Sequence, residues 1–308
     1  MAGFRQIVDG PSFTALPFGL WDAVQKPTPE GTHWQNGITW VDQCPTGDTV
    51  MDECIAVTGT GGALAAQATM SGNVVQTNRG ATSFTVYAEF DCSPVGLTNA
   101  TTVASDALAK VEQYQVEKAF WTGVAGKSGA VPTTTVFPHL AANTPLSDSS
   151  GILLQPAASS VATGTALDVV DGLGRLEAGI DDCYHGSAVI HVARQAADTL
   201  FAWNLLLPEG DALYTKSGHR VVIGSGYTGS GPDGSAATAG ASWIYATGAV
   251  FGYQGAVQMQ QPFPDSFDRT KNTVHMIAQR TYVLGFECCL QAVQIALGVP
   301  TSGGSTGT

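Results

Sequence analysis

Residues 101–123, TTVASDALAKVEQYQVEKAFWTG, decide most of what this chain can become. Their periodicity predicts a helix roughly 30 Å long at about 1.5 Å per residue. Thr101, Thr102 or Ser105 can serve as N-cap, since a short side-chain oxygen takes an orphan amide proton of the first turn. Asp106 falls in that turn, where negative charge suits the helix dipole, and stands four before Lys110 in the favourable order. Gly123 follows as a left-handed stop. Ala104, Ala107, Leu108, Val111, Tyr114 and Trp121 share one stripe, but Val116 and Phe120 fall off it. A helix with apolar residues on more than one side needs cover from more than one side. The stretch should therefore be a spine with something packed along both flanks.

The surface is the next constraint. Charged residues make up 12% of the 308, about half the usual share of roughly 25%. Two explanations fit: much of the surface is buried against other subunits, or the protein works outside the cell behind uncharged polar groups. Net charge is −12 with 13 basic residues. Phosphate neutralisation takes clustered Lys and Arg, and no cluster occurs, which argues against direct nucleic-acid binding. An acidic wall that encloses nucleic acid without sticking to it is compatible with this charge. No apolar run approaches the roughly 20 residues of a membrane span, and the N-terminus lacks a signal-peptide core, so a cytoplasmic, soluble chain is expected. The six cysteines (44, 54, 92, 183, 288 and 289) form no CxxC, and in an intracellular chain they read as free buried thiols. Adjacent Cys288 and Cys289 would face opposite sides of a strand, a poor metal pair.

Residues 1–30 carry four prolines and read as an extended arm whose Phe4, Phe13, Phe18 and Trp21 need a surface to lie on, such as a neighbouring subunit. Residues 33–43 and 50–58 read as strands, and the Gly-rich tract 58–81 as a mobile hairpin or a loop ordered by a partner. SFTVYAEFDC (83–92) alternates as a half-buried strand. A turn-rich bridge, 124–164, leads to helices at 165–180 and 193–206 around a strand, 187–192. The first has Thr165 and Asp168 spaced as a capping box. Residues 213–214 and 220–223 read as a hairpin, 225–241 as a loop, and 243–246 and 256–260 as strands around a Gly-rich turn. Residues 273–289 give a long strand and 291–297 a shorter one. Helices and strands intersperse without strict βαβ alternation, which favours α+β.

Several chemical motifs are present only by letter. Gly224, Gly226 and Gly229 match GxGxxG after a strand, but Pro232 follows instead of a helix and no acidic residue stands about twenty positions on. Residues 126–128, GKS, lack the leading glycine of a phosphate loop, since position 121 is Trp. Cys183 and His185 are close in sequence without a recognisable oxyanion element. The histidines are dispersed, with His191 reading as a packed strand residue. Asn99-Ala100-Thr101 is a glycosylation sequon by letter alone. The expectation is no catalytic residue, no cofactor and no metal.

VEQYQVEKAFWTG, ALDVVDGLGRLEAG, SAVIHVARQAADTL, KSGHRVVIGSGYTG and NTVHMIAQRTYVLGFECC, in that order, resemble the major capsid proteins of tailed bacteriophages, in particular those of actinobacterial phages. The resemblance covers most of residues 80–297 and implies an α+β fold of the Hong Kong 97 type. It divides the chain into an N-terminal arm (1–30), an extended hairpin loop (31–82) and a peripheral domain (83–164) with its spine helix at 102–122. An axial domain (165–264), a return strand (265–297) and a flexible tail (298–308) follow. It implies a non-enzymatic homo-oligomer, with pentamers and hexamers closing an icosahedral virion around double-stranded DNA, assembled in the host cytoplasm. Separate scaffolding, portal and decoration proteins are the partners to expect. Residues 44–82 contain no lysine, so the Lys–Asn cross-link of some relatives is not expected. Two rivals stand beside this reading: an encapsulin-like nanocompartment shell, and a secreted β-rich binding protein, which would hold its cysteines in disulfides.

Overall fold

The computed structural model describes residues 12–28, 31–46, 73–92, 100–123, 137–148, 150–162, 164–260, 267–268 and 273–298. The spine helix runs Ala100–Thr122. It starts ahead of Thr101, Thr102 and Ser105, so those three are helical residues and not caps. Gly123 ends it at φ +69, its amide closing on the Ala119 carbonyl at 2.9 Å. Among the described side chains of the first half only Ala104 and Leu108 are buried, whereas Val116, Glu117, Ala119, Phe120 and Trp121 are buried together in the second. The two-sided cover expected from Val116 and Phe120 is thus real, and it is concentrated in the last two turns. Tyr114 departs from the stripe: it is exposed, with the Lys118 ammonium 5.9 Å from its ring centre. A phenol can sit at the water boundary with its ring over a cation where an aliphatic residue could not.

A β-sheet lies under the helix, centred on the long strand Thr273–Phe286. Ser83–Cys92 pairs with it antiparallel, from Val274↔Cys92 to Val283↔Ser83. The alternation read from sequence holds: Phe84 and Val86 are buried, and Thr85, Tyr87, Glu89 and Asp91 are exposed. Val250–Gln254 and Gln258–Gln260 also pair with the long strand. The first of these was expected as part of a Gly-rich turn. Gly252 lets it pair closely, because a Cβ there would stand 2.3 Å from the Val283 carbonyl oxygen.

A seven-stranded mixed sheet forms the second layer. Its order is Ser159–Ser160, Leu290–Ala296, Ala241–Thr247, Val189–Ala193, Arg220–Gly224, Ala212–Thr215, Leu206–Glu209. Helices Val169–Tyr184 and Arg194–Ala202 pack on it through Val169, Leu173, Leu176, Ile180, Ala196, Ala197 and Leu200. The first helix begins four residues later than expected. Asp168 is its N-cap, accepting from the Val170 amide at 2.9 Å, and Thr165 lies outside the helix.

The third sheet pairs Ile38–Thr46 with Asn73–Ala81, from Ile38↔Ala81 to Thr46↔Asn73, and continues through Leu153–Gln155 to Leu146–Ser147. Asn73–Ala81 is the end of the tract expected to be soft. Its order comes from the ladder to Ile38–Thr46, which no apolar pattern announces. Residues 50–58 and 126–128 lie outside the described residues.

The N-terminal segment lies on its own chain. Leu20–Ala23 is a short helix with Leu20 buried, and Trp21 meets Tyr282 edge-on at 5.3 Å. The Ile223 amide donates to the Phe18 carbonyl at 2.8 Å, and the Gln25 amide to the Val250 carbonyl at 2.8 Å. The neighbour expected beneath Phe18 and Trp21 is therefore this chain's own core, while Phe13 is exposed. Phe4 lies outside the described residues.

The expectation of free thiols is overturned at four of the six cysteines, while Cys54 and the Cys92 side chain lie outside what is described. Cys44 bonds Cys288 and Cys183 bonds Cys289, with Cα–Cα distances of 5.4 and 6.3 Å. Cys288 and Cys289 lie beyond the end of the long strand, in a turn, and Cys288 is left-handed at φ 54. The two side chains therefore diverge, one towards Ile38–Thr46 and the other towards Val169–Tyr184. Sequence spacing alone carries no sign of this geometry.

Candidate functional site

A dense polar arrangement among the described residues begins with the glycines at 224, 226 and 229. The loop hangs from the end of strand Arg220–Gly224 and lies against the spine helix. A Cβ on Gly226 would stand 2.1 Å from the Tyr114 carbonyl oxygen and 2.6 Å from the Lys118 nitrogen, so only glycine lets the two backbones approach this closely. The loop's amides do hold an anion, and the anion belongs to the chain itself. Glu117 Oε2 accepts from the Ser225 amide at 2.5 Å, the Ser225 hydroxyl at 2.7 Å and the Gly226 amide at 3.0 Å. Its Oε1 accepts from the Leu20 amide at 3.1 Å and Gln113 Nε2 at 3.3 Å. Gln113 in turn grips the Leu16 backbone, accepting from its amide at 2.9 Å and donating to its carbonyl at 3.0 Å.

Glu117 is 1% exposed, and the hydrogen bonds are what make its burial tolerable. One carboxylate thus ties the N-terminal segment, the spine helix and the 224–229 loop. Trp121, one turn on, completes the junction. Its indole N–H donates to Ser230 Oγ at 3.1 Å, and its ring packs against Tyr227 at 4.7 Å and Tyr245 at 4.9 Å. Glu117 was not singled out from sequence. Its one signal is an acid on the helix face that carries Val116 and Phe120.

Behind the junction, His191 is wholly buried on Val189–Ala193. Nδ1 meets the Tyr227 hydroxyl and Nε2 the Thr247 hydroxyl, each at 3.0 Å. Two hydroxyls suit a neutral ring, which offers one donor and one acceptor. Burial pushes its pKa from 6.5 down to about 3. Burial and the nearby Glu117 charge push Tyr227 well above its ordinary value, so it stays a phenol. The unfolded chain takes up a proton near pH 6.5 and the folded chain does not. Stability from this group is therefore present above pH 6.5 and lost as pH falls towards 3, by roughly 3 kcal/mol on reaching pH 4. Urea midpoints at pH 7 and pH 4.5 test this: His191→Asn should lose less between them than the parent, and an equal loss would clear the imidazole.

A second buried arrangement lies beside the cysteine turn. Arg79 Nε meets Asp42 Oδ2 at 2.5 Å, with the two side chains 8% and 1% exposed. Asp42 accepts from the Cys288 amide at 3.1 Å, and Arg79 Nη2 donates to the Cys288 carbonyl at 2.6 Å. Burial pushes Asp42 up against the pull of Arg79 and the Cys288 amide. Asp42, Cys44 and Cys288 stand close enough to share an ion. The donor set does not fit one, because both sulfurs are spent in a disulfide and the carboxylate already holds a guanidinium.

The other motifs read by letter find ordinary roles. Cys183 is in a disulfide, and His185 is the exposed, left-handed residue ending Val169–Tyr184, so no thiol–imidazole pair exists. What the junction residues do is hold three segments together. Glu117 accepts on both oxygens, from Ser225 and Gly226 on one and from Leu20 and Gln113 on the other.

No protein-family model matches the chain, and no curated protein matches it. Solved structures do. A chain from Gordonia phage Cozz aligns at TM-score 0.54 and 10% identity, over 96% of this chain and 92% of that one. The capsid of a native GTA particle aligns at 0.51 and 12% identity, over 96% of both chains. A chain from Mycobacterium phage Ogopogo aligns at 0.51 and 10% identity, over 95% and 96%. At such identities the likeness is one of fold: a mixed helix and sheet architecture shared with phage capsid structures over nearly the whole length of each chain.

Proposed function

We propose that this chain, having the fold of phage capsid structures, is the major structural protein of a phage head. It acts by self-association and carries out no reaction. The observation that carries this reading is the fold alignment, which runs end to end through partners of nearly equal length. In Hong Kong 97 terms, residues 1–30 are the arm and 31–82 the extended hairpin, based on the ladder between Ile38–Thr46 and Asn73–Ala81. Residues 83–164 with the spine helix form the peripheral domain, 165–264 the axial domain, 265–297 the return strand and 298–308 the tail. Pentamers and hexamers close an icosahedral virion around double-stranded DNA, assembled in the host cytoplasm with scaffolding, portal and decoration proteins as separate chains. A net charge of −12 suits a wall that does not grip DNA, and 12% charged residues suit a surface spent on neighbouring subunits. The names attached to the aligned structures favour a head over a nanocompartment. The disulfides fit a particle that lives outside the cell as well as they fit a secreted binder.

Light scattering after size exclusion, with electron microscopy of the same fractions, tests the assembly. Rings of five and six or closed shells are the expected result, from the chain alone or with a co-expressed scaffold. A species that stays at 31.8 kDa under both conditions overturns the reading.

A further inference from the structure

The cysteine turn does more than join two sheets. Phe286 ends the long strand of the first sheet and Leu290 opens a central strand of the second, so residues 287–289 are the whole connection. From this one turn Cys288 reaches the strand Ile38–Thr46 of the third sheet, and Cys289 reaches the last turn of helix Val169–Tyr184. The crossings close loops with sequence separations of 244 and 106 residues. Both partners are also held by contacts other than the sulfur bonds. Asp42 and Arg79 hold the Cys288 peptide from its amide and its carbonyl. The Tyr184 hydroxyl donates to Glu287 at 3.1 Å, fixing the helix end beside Cys183 and Cys289. Cys44, Cys183 and Cys289 are only half-buried, open to a small reagent after folding.

We propose that the Cys288-Cys289 turn is a redox-closed clamp that folds with its four thiols aligned but open and is sealed afterwards, locking all three sheets to one point. The timing rests on the shell reading: a chain made in a reducing cytoplasm meets an oxidising medium only when the particle leaves the cell. In each closure a cysteine thiolate attacks a low-molecular-weight disulfide and releases one small thiol. The partner thiolate then displaces the second, so two protein thiols and one small disulfide become one protein disulfide and two small thiols. The consequence is a shell that is adjustable while it forms and fixed once outside.

The test counts thiols. Cells expressing the protein are lysed into a maleimide mass tag under denaturing conditions, and a second sample is tagged after purification and exposure to oxidised glutathione. Six tags at lysis should fall by four on oxidation, with peptide mapping recovering Cys44–Cys288 and Cys183–Cys289. Oxidised shells should then come apart at a higher guanidinium concentration than reduced ones, and the double variant Cys44→Ser, Cys183→Ser should erase that difference. Four thiols already missing at lysis would overturn the proposal, as would six tags after oxidation, other pairings, or equal guanidinium midpoints. Should no shell form, the thiol count is read on the free protein, so a failure of the shell reading cannot be mistaken for a failure of the clamp.

Discussion

Glu117→Gln should cost about 3–5 kcal/mol of stability, the scale for removing one partner from a fully buried charged hydrogen-bond network. The carboxamide keeps one oxygen and offers an NH2 where the Ser225 amide, the Ser225 hydroxyl or the Leu20 amide already points a proton. At least one buried backbone amide is then orphaned, even if the Ser225 hydroxyl turns to accept from the new NH2. The loss should also be structured. The N-terminal segment and the 224–229 loop share this one acceptor, so both should exchange amide protons faster in the variant, while the interior of the seven-stranded sheet keeps its protection. Urea unfolding followed by hydrogen exchange makes the measurement. Asp198→Asn, on an exposed helix face, serves as the reference and should stay within about 0.5 kcal/mol of the parent. If Glu117→Gln matched that reference, the carboxylate would be a passenger at the junction.

Arg79→Met should be comparably damaging at neutral pH, by about 3–5 kcal/mol, because it leaves Asp42 as a buried charge without its cation, facing the Cys288 amide. The direction with pH distinguishes this from simple mispacking. The Asp42 carboxyl already lies above its ordinary value, and losing the cation raises it further. A raised folded-state value means that the folded chain holds the proton more readily. The group's contribution is therefore fully favourable below the unfolded value and is lost as pH rises through the folded one. The gap between Arg79→Met and parent should accordingly shrink as pH is lowered towards the ordinary carboxyl range of about 4. Adding Asp42→Asn should recover part of the loss at pH 7. A gap independent of pH, with no recovery in the double variant, would mean that the methionine simply fits badly.

The elements legible in the sequence are those whose pattern and environment share one period. Ser83–Cys92 shows its buried face at every second residue, and Val169–Tyr184 shows Leu173, Leu176 and Ile180 at helical spacing. What escaped depends on partners far away in the chain. Asn73–Ala81 is polar and Gly-containing, and it is a strand because Ile38–Thr46 lies beside it. The disulfides join cysteines 244 and 106 residues apart, brought together by a left-handed turn at Cys288 that no local signal marks. Glu117 sits among Gln113, Tyr114 and Lys118, and nothing in that text distinguishes it from a solvated acid until the Ser225 and Gly226 amides arrive. The residues flanking 224–229 argue against a nucleotide loop, and in the fold the Ser225 and Gly226 amides are occupied by Glu117. The segment's central glycine, Gly226, instead serves close contact with the spine-helix backbone at Tyr114 and Lys118.

The pairing of Ser83–Cys92 with Thr273–Phe286 has a consequence for how the protein is made. The two strands are separated by about 180 residues, which at roughly 5–20 residues per second is about 10–40 s on the ribosome. Throughout that interval Ser83–Cys92 waits without the neighbour that covers its ladder. Glu89 and Asp91 put charge beside that open edge, which discourages a stray partner. The spine helix lacks half of its seat until the long strand emerges. A nascent chain therefore cannot complete its central sheet until it is nearly whole.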